Sequence, residues 1–184
     1  KGGIINQFIS KNGTTLIEDN GSNNLPIHYA EFKQLGEIKG NQVFDTLVFT
    51  GGNRYILEKG KTQTITSNGT LISMGGCDSL VYIQSSDGDA TATIKKETGS
   101  NLVIDNTIVE NIAADLSTGV TYTINNGLTL ANSSGWTVIN PTPRNLYWVG
   151  NGGFWDESAH WATSSGGSGG NCPPTPLDNV FFDQ

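Results

Sequence analysis

The sequence predicts an all-β fold, a right-handed parallel β-helix (a solenoid) followed by a small tryptophan-rich β module. Three observations lead to this fold class: the composition, the regular spacing of apolar clusters, and the turn-forming residues between those clusters. Gly, Asn, Thr and Ser make up about two in five of the 184 residues, and only 35% of the residues are hydrophobic. This composition favours strands and turns and argues against a helical bundle.

Short apolar clusters recur between residues 43 and 139 at a spacing of roughly nine residues. Inside many clusters polar and apolar side chains alternate, as in the run 62–66, where three threonines alternate with Gln63 and Ile65. A period of two is typical of a strand that buries one face. Each cluster is therefore interpreted as a short, half-buried strand.

Small polar residues and glycine separate the clusters, for example at Ser67-Asn68-Gly69 and Asn125-Asn126-Gly127. Glycine and asparagine adopt left-handed backbone at low cost, so these segments are interpreted as turns. Regular short strands fit a sandwich or barrel, or a solenoid in which three strands make one coil of roughly 22 to 30 residues. Small polar corners and threonine-rich outer faces favour the solenoid, and an antiparallel β-sandwich is the alternative.

A domain boundary is expected at Asn140-Pro141-Thr142-Pro143. Proline lacks the amide that a sheet ladder requires, and it forces extended backbone on the residue before it. We therefore assign residues 1–140 to solenoid coils and residues 141–184 to a linker or capping module that leads into a next repeat. Three of the four tryptophans lie within residues 148–161 of that module.

The charge and hydropathy patterns exclude two classes of partner. Seventeen acidic residues against ten basic ones give a net charge of -7, so no basic face is available for nucleic acid. The longest apolar runs have four residues, far fewer than the roughly 20 that a membrane-spanning helix needs. We expect neither a nucleic-acid partner nor a membrane span.

The last forty residues resemble a module that recurs in very large secreted surface proteins of gliding and other Bacteroidetes. The residues that carry the resemblance are Tyr147-Trp148-Val149-Gly150, Trp155, Trp161 and the run 178–183. The preceding block is similar to the segment usually found before that module. Its matching parts are residues 44–50, Cys77, 81–86, 90–94, 102–104 and 132–137.

The resemblance covers about residues 41–184 and implies one repeat, cut out of register, of a tandem array. In that family such repeats build adhesin-like proteins exported by the type IX secretion system, including mobile adhesins of gliding motility. The implied protein is filamentous, predominantly β, extracellular and located at the cell surface. Its implied partners are neighbouring repeats of the same polypeptide, and the resemblance identifies neither a ligand nor a catalytic residue.

Trp148, Trp155 and Trp161, with Tyr147 and Phe154, are the candidate ligand-binding residues. Exposed aromatic faces pair with the apolar faces of sugar rings, so a carbohydrate-binding module that grips a surface polysaccharide is the alternative function. The competing interpretation is structural: each aromatic side chain buries about 150 to 250 Å², and forty Gly- and Pro-rich residues need such a core.

A third hypothesis is a β-helical enzyme that degrades polysaccharides, which needs a cluster of carboxylates at a defined separation. Asp105, Glu110 and Asp115 are the closest acidic group, and solvated faces or turn caps explain them adequately. His28 and His160 have no Ser or Cys partner in a recognisable nucleophile motif. We therefore expect no enzyme activity and assign no catalytic residue.

Cys77 and Cys172 are too few for a zinc site. In an exported protein they can form a disulfide, which would close a loop of some 95 residues and stabilise the fold by roughly 4 to 5 kcal/mol in the chain-entropy model. The alternative is two independent cysteines.

No cofactor is expected, but several oxygen-bearing side chains of the tryptophan-rich module are candidates for a structural calcium site. They do not follow the calcium-loop pattern of an EF-hand. The candidates are Asn151, Asp156, Glu157, Asp178, Asn179 and Asp183.

Overall fold

The computed structural model describes residues 7–10, 15–18, 25–139, 143–175 and 178–182. The chain divides into two compact units, Lys1–Ile139 and Asn140–Gln184. In the described part of the chain, secondary structure consists of strands and two short 3-10 helices. None of the described residues forms a helix long and apolar enough to cross a membrane.

The first unit is built from short strands and one 3-10 helix, η1 (Leu116–Thr118). Two of its strands are longer than the rest, β5 and β7. The strands are β1 (Phe8–Ser10), β2 (Thr15–Ile17), β3 (Ala30–Phe32), β4 (Gly36–Ile38), β5 (Gln42–Thr50), β6 (Arg54–Leu57), β7 (Thr62–Met74), β8 (Val81–Ser85), β9 (Ala92–Lys96), β10 (Leu102–Asp105), β11 (Thr107–Glu110), β12 (Ile112–Ala114), β13 (Tyr122–Asn125), β14 (Leu128–Leu130) and β15 (Trp136–Ile139).

These strands form three parallel sheets. The first sheet has the order β1-β3-β5-β7-β9-β12, the second β2-β4-β6-β8-β11-β14, and the third β10-β13-β15. From β1 to β9 consecutive strands alternate between the first and second sheets, and strands of the third sheet join from β10 onward. The predicted all-β class is confirmed. The antiparallel sandwich is wrong for this unit, because its strands pair in parallel.

The number of residues between a strand position and its partner on the next strand of the sheet varies along the chain. In the second sheet Gly36 pairs with Tyr55, whereas Arg54 pairs with the more distant Tyr82. The extra length comes partly from the longer strand β7 and partly from the connection between β7 and β8, residues 75–80, which form turns outside both strands. The ladder of the second sheet therefore keeps its register while the connections differ in length. In the first sheet the register of β5 and β7 shifts between Phe44 and Thr46.

The core of the first unit consists of inward-facing side chains from all three sheets, which form one buried cluster. Strand alternation selects them: β8 and β9 each bury their first, third and fifth residues. Parallel register then places like positions beside one another, as with Tyr55, Ile83 and Val109 in the second sheet. Each fully buried apolar side chain contributes about 1.5 to 3 kcal/mol.

Two buried tyrosines satisfy backbone groups where strands end. The Tyr55 hydroxyl accepts from the Thr50 amide at 3.0 Å and lies 2.9 Å from the Phe32 carbonyl oxygen. Burial raises the pKa of Tyr55 to about 12. The Tyr122 hydroxyl likewise accepts from the Lys96 amide at 2.6 Å. Each ring fills the core while its hydroxyl group pairs polar backbone atoms.

Lys96 is the most buried charged residue in the part of the first unit that the structure describes, with the residue 2% exposed. Its Nζ donates to the carbonyl oxygens of Thr66, Ser67 and Gly69 at 2.7, 2.8 and 2.9 Å. These carbonyls belong to the middle of β7, so the lysine ties β9 to its neighbour in the first sheet. Burial lowers the pKa of Lys96.

Among the described residues of the first unit, four that are not glycine have left-handed backbone, with φ of 48° at Asn106, 55° at Asn111, 54° at Asn126 and 47° at Ala131. The register pairs Asp105 with Asn125 and Glu110 with Leu130, the residues just before them. Asn106 therefore stacks with Asn126, and Asn111 with Ala131. Asparagine tolerates this conformation, whereas alanine is strained in it.

The second unit is a three-stranded sheet with β16 (Asn145–Trp148) in the centre. It pairs antiparallel with β17 (Trp161–Ala162) and parallel with β18 (Asn179–Phe181). A 3-10 helix, η2 (Ser158–His160), leads directly into β17.

We predict that Lys96→Met destabilises the protein by about 3 kcal/mol, because it leaves the three carbonyl oxygens without their charged donor. Urea unfolding followed by circular dichroism measures the free energy of unfolding. Lys95→Met is the matched control: its side chain is 35% exposed, and its effect should stay within about 0.5 kcal/mol. Equal effects of the two substitutions would contradict the role assigned to Lys96.

We predict that Ala131→Asn stabilises the protein by about 0.5 to 1 kcal/mol, because asparagine adopts the left-handed backbone with less strain. The same substitution at Ala113, which lies in β12 with ordinary strand backbone, should bring no gain. Thermal unfolding of the two variants against the parent chain tests the difference. A gain at both positions, or at neither, would contradict the strain argument.

Candidate functional site: the aromatic cluster of the second unit

Trp161 is the centre of an aromatic cluster in the second unit and is fully buried. Trp148 and Trp155 contact it edge-on, with ring centroids 5.2 and 4.8 Å away. Phe182 lies 6.3 Å from the same ring and also faces the other two tryptophans. The four rings form a small core of the kind that a Gly- and Pro-rich segment requires.

Strand pairing places the central tryptophans. Trp148 lies directly opposite Trp161 in the antiparallel pair of β16 and β17, so both side chains lie on the same face. Leu146, two residues before Trp148, is buried on that face as well. The Trp161 Nε1 donates to the Trp155 carbonyl oxygen at 2.8 Å, which fixes the connecting loop against the sheet.

His160 covers one face of Trp148, with ring centroids 4.6 Å apart and planes only 8° apart. Its Nδ1 lies 2.9 Å from the Val149 carbonyl oxygen, and its Nε2 lies 3.2 Å from Glu157 Oε2. Gly153 packs against the same imidazole ring so closely that a Cβ atom there would collide with it. The loop therefore holds His160 in place from both sides.

Part of the cluster is open to solvent. Phe154 is 73% exposed, Phe182 67% and Trp155 51%. Trp155 and Phe182, with ring centroids 6.4 Å apart, form the exposed aromatic platform, and Phe154 directly precedes Trp155 in the chain. Flat aromatic surface of this kind stacks on the apolar face of a sugar ring or on another apolar partner. Tyr147, next to Trp148 in the strand, is directed to the other face and stacks on Phe181 at 4.8 Å.

The three tryptophans predicted as ligand-binding residues thus come together, but in different roles. Trp161 has no exposed surface, so it supports the other rings and cannot itself touch a ligand. Trp155 offers the most open face, and Trp148 is half-buried under His160. The sequence analysis did not include Phe182 among the candidate site residues. The run Val180-Phe181-Phe182 could have indicated it, because alternation along a strand directs Phe181 and Phe182 to opposite faces.

A buried ion pair between Arg144 and Asp178 also stabilises the second unit. The Arg144 Nη2 lies 2.7 Å from Asp178 Oδ2, and the Arg144 amide and Nε donate to Oδ1 at 2.7 and 3.2 Å. Thr175 adds its amide and hydroxyl to Oδ2 at 2.8 and 3.0 Å. The Asp178 side chain is 2% exposed.

Burial raises the pKa of Asp178, but hydrogen bonds from Arg144 and Thr175 outweigh it and hold the pKa well below its usual range. The same contacts occupy both carboxylate oxygens. Asp178 is therefore engaged inside the protein, and Asp183 lies outside the described residues. Within the described ranges, no three His, Cys, Asp or Glu side chains are grouped so as to hold a metal ion.

The acidic residues considered for catalysis have separate partners in the first unit. Asp105 accepts from Asn125 Nδ2 at 3.0 Å, and Glu110 accepts from the Tyr82 hydroxyl. Asp115 accepts from the Ser117 amide at 2.8 Å and so caps η1. These contacts are the turn caps and cross-strand pairs expected of structural carboxylates.

The remaining predicted residues lie apart from the cluster or in its loops. His28 contacts Asp45 on the first unit. Cys77 lies in the turns between β7 and β8, and Cys172 lies in the connection between β17 and β18. A disulfide between these cysteines stays a prediction.

Comparisons of the chain with known protein families, with curated proteins and with solved structures found no match in any of the three.

We predict that Asp178→Asn destabilises the second unit by about 3 kcal/mol, because it leaves Arg144 without its buried partner. In the parent chain the folded pKa lies below the ordinary 3.8. The stabilisation is therefore complete above that pH and declines as the pH falls through and below it. Asp178→Asn should lose less stability over this range than the parent chain.

Tryptophan fluorescence during urea unfolding at pH 7 and pH 3 measures both effects, since three of the four tryptophans lie in the second unit. Asp156→Asn, an exposed carboxylate of the same unit, is the control and should behave like the parent. An Asp178→Asn variant with unchanged stability at pH 7 would contradict the assignment.

Proposed function

We propose that the chain is a structural repeat of a long extracellular adhesin or stalk, with a first unit that is a right-handed parallel β-helix. The observation that supports this proposal is the alternation of consecutive strands between parallel sheets. A chain that visits the sheets in turn, and then pairs with its own previous passage, makes stacked coils. Such a stack spaces adhesive regions along a filament at the cell surface.

The stabilising forces of such a stack act between nearest neighbours. Each coil buries its apolar face only against the coils before and after it. Its interstrand hydrogen bonds run along the direction in which coils are added. Length can therefore increase by adding repeats without a larger core, as a stalk requires.

The last strands of the three sheets are β12, β14 and β15. In the described chain β14 and β15 each offer an open edge, a ready template for another strand, whereas β12 is already bridged by Ser134. An adjoining repeat is the partner that we propose for these edges. The net charge of -7 would meanwhile keep separate copies from associating nonspecifically.

The cell-surface location, type IX export and gliding-motility role belong to the proposal through the resemblance to Bacteroidetes surface proteins. The residues that carry it include Trp148, Trp155 and Trp161, which come together as a folding core. A motif whose residues build a small core suits a repeated joining module.

The second candidate function is carbohydrate binding, favoured by the exposed aromatic platform. Trp155 and Phe182 keep half or more of their surface open although other rings lie next to them. Under this hypothesis the second unit grips a surface polysaccharide while the first unit spaces it from the cell.

The stalk proposal predicts that a chain with two copies joined end to end is more stable than one copy. The adjoining copy would cover open strand edges, and we expect a gain of at least about 1 kcal/mol per copy. Urea unfolding of the one-copy and two-copy chains measures it. A single copy fused to an unrelated folded domain of similar length is the control, and equal stability in all three chains would contradict the proposal.

A glycan array separates the two functions. Binding that is lost in Trp155→Ala and kept in Leu116→Ala, an exposed apolar residue outside the cluster, would establish the carbohydrate-binding alternative for the second unit.

A further inference from the structure

The outer face of the first sheet carries a groove of about 730 Å³ that no function described above uses. It lies entirely within the first unit and crosses β5, β7 and β9. Its lining includes Val43, Thr64, Thr66, Lys95 and Glu97. Each of these residues either faces outward from a strand or directly follows a strand.

The register arranges the groove in two rows. Val43 pairs with Thr64, and Thr64 pairs with Lys95, so these three residues follow one another across the strands. Thr66 in β7 and Glu97, the residue directly after β9, lie two residues further along the chain and form a second row. Neighbouring strands lie 4.7 to 4.9 Å apart, which sets the spacing of the groups in each row.

The groove extends beyond these three strands. Pro26 lines it on one side, next to the bridge that pairs Ile27 with Phe44. Thr118 lines it on the other side, where its hydroxyl donates to the Lys96 carbonyl oxygen at 2.9 Å. Four strand spacings separate the two limits, roughly 19 Å in total.

The lining combines apolar and hydroxyl groups. Pro26 and Val43 give an apolar surface at one end, and four threonines along the groove present hydroxyl and methyl groups. Sugar rings have both kinds of surface, since their C–H groups form apolar faces and their hydroxyl groups lie around the edge. A side chain that offers a hydroxyl and a methyl group fits either part of a ring.

The charged side chains in and beside the groove favour a neutral ligand. Lys95 lies 3.5 Å from Asp115, so its positive charge is already offset. Glu97 accepts from the Ser67 amide and hydroxyl at 3.0 and 3.2 Å. Asp45 accepts from Thr66 at 2.7 Å beside the groove. With carboxylates in excess over ammonium groups, a polyanion would be repelled.

We propose that this groove binds a neutral polysaccharide in an extended conformation, running across the strands. A pyranose unit in an extended chain advances by roughly 5 Å, close to the spacing of neighbouring strands. The groove therefore has room for three or four rings, each over one strand position. Because this site lies in the first unit, the inference goes beyond the stalk proposal and is independent of the aromatic platform.

Isothermal titration calorimetry of the full chain with cellohexaose and chitohexaose tests the proposal, with hexagalacturonate as the acidic probe. We expect saturable binding of at least one neutral hexamer and markedly weaker binding of hexagalacturonate. Absence of binding by both neutral hexamers, or equal or tighter binding of the acidic one, would overturn the proposal.

Thr64→Arg places a long side chain in the groove and should raise the Kd of the neutral hexamer by about tenfold or more. Thr123→Arg is the matched control, because Thr123 faces outward from β13 in the third sheet; its Kd should change by less than about twofold. Thr98→Arg, at an exposed loop position on the groove rim, repeats the test without altering a strand. Circular dichroism verifies that each variant is folded.

Trp155→Ala distinguishes the groove from the aromatic platform and should leave the Kd unchanged. Binding that is lost in Trp155→Ala but kept in both Thr64→Arg and Thr98→Arg would assign the sugar to the platform and overturn the groove proposal. Equal losses in Thr64→Arg and Thr123→Arg would do the same.

Discussion

The parallel backbone ladder is the constraint on which the first unit depends. Once Gly36 pairs with Tyr55 and Tyr55 with Ile83, every side chain of the second sheet has a fixed neighbour above and below. Because alternate residues face the same way, one register defines both the buried rows and the outer surface. Core, corners and groove are consequences of the same pairing.

Polar groups in this architecture act where the ladder is interrupted. Tyr55 and Tyr122 pair backbone atoms at strand ends, and Lys96 binds three carbonyl oxygens of β7 where its register with β5 shifts. In the second unit Arg144 pairs with the buried carboxylate of Asp178. Hydrophobic side chains alone would leave these buried groups unpaired, at a cost of about 1 to 3 kcal/mol each.

The sequence revealed local structure better than contacts between distant residues. The alternation in 62–66 and the Asn-Gly corner at 126–127 predicted strands and turns that the structure contains, because period and backbone preference are local properties. The burial of Lys96 was not predictable, since its three carbonyl partners lie about thirty residues earlier. Most members of the aromatic cluster were predicted from the sequence. The complete burial of Trp161 was not, because it depends on the pairing of β16 with β17, and the composition of the segment does not indicate which strands pair.

The unequal connections have a consequence for how such a chain can change. Residues 75–80 add length between β7 and β8 while the pairing of Arg54 with Tyr82 stays in register. Segments can therefore be gained or lost at this bend without shifting the ladder, because lengthening a surface loop costs little free energy. The bend is a natural place for sequence variation among related chains, and it offers an engineer a position at which to graft a short epitope.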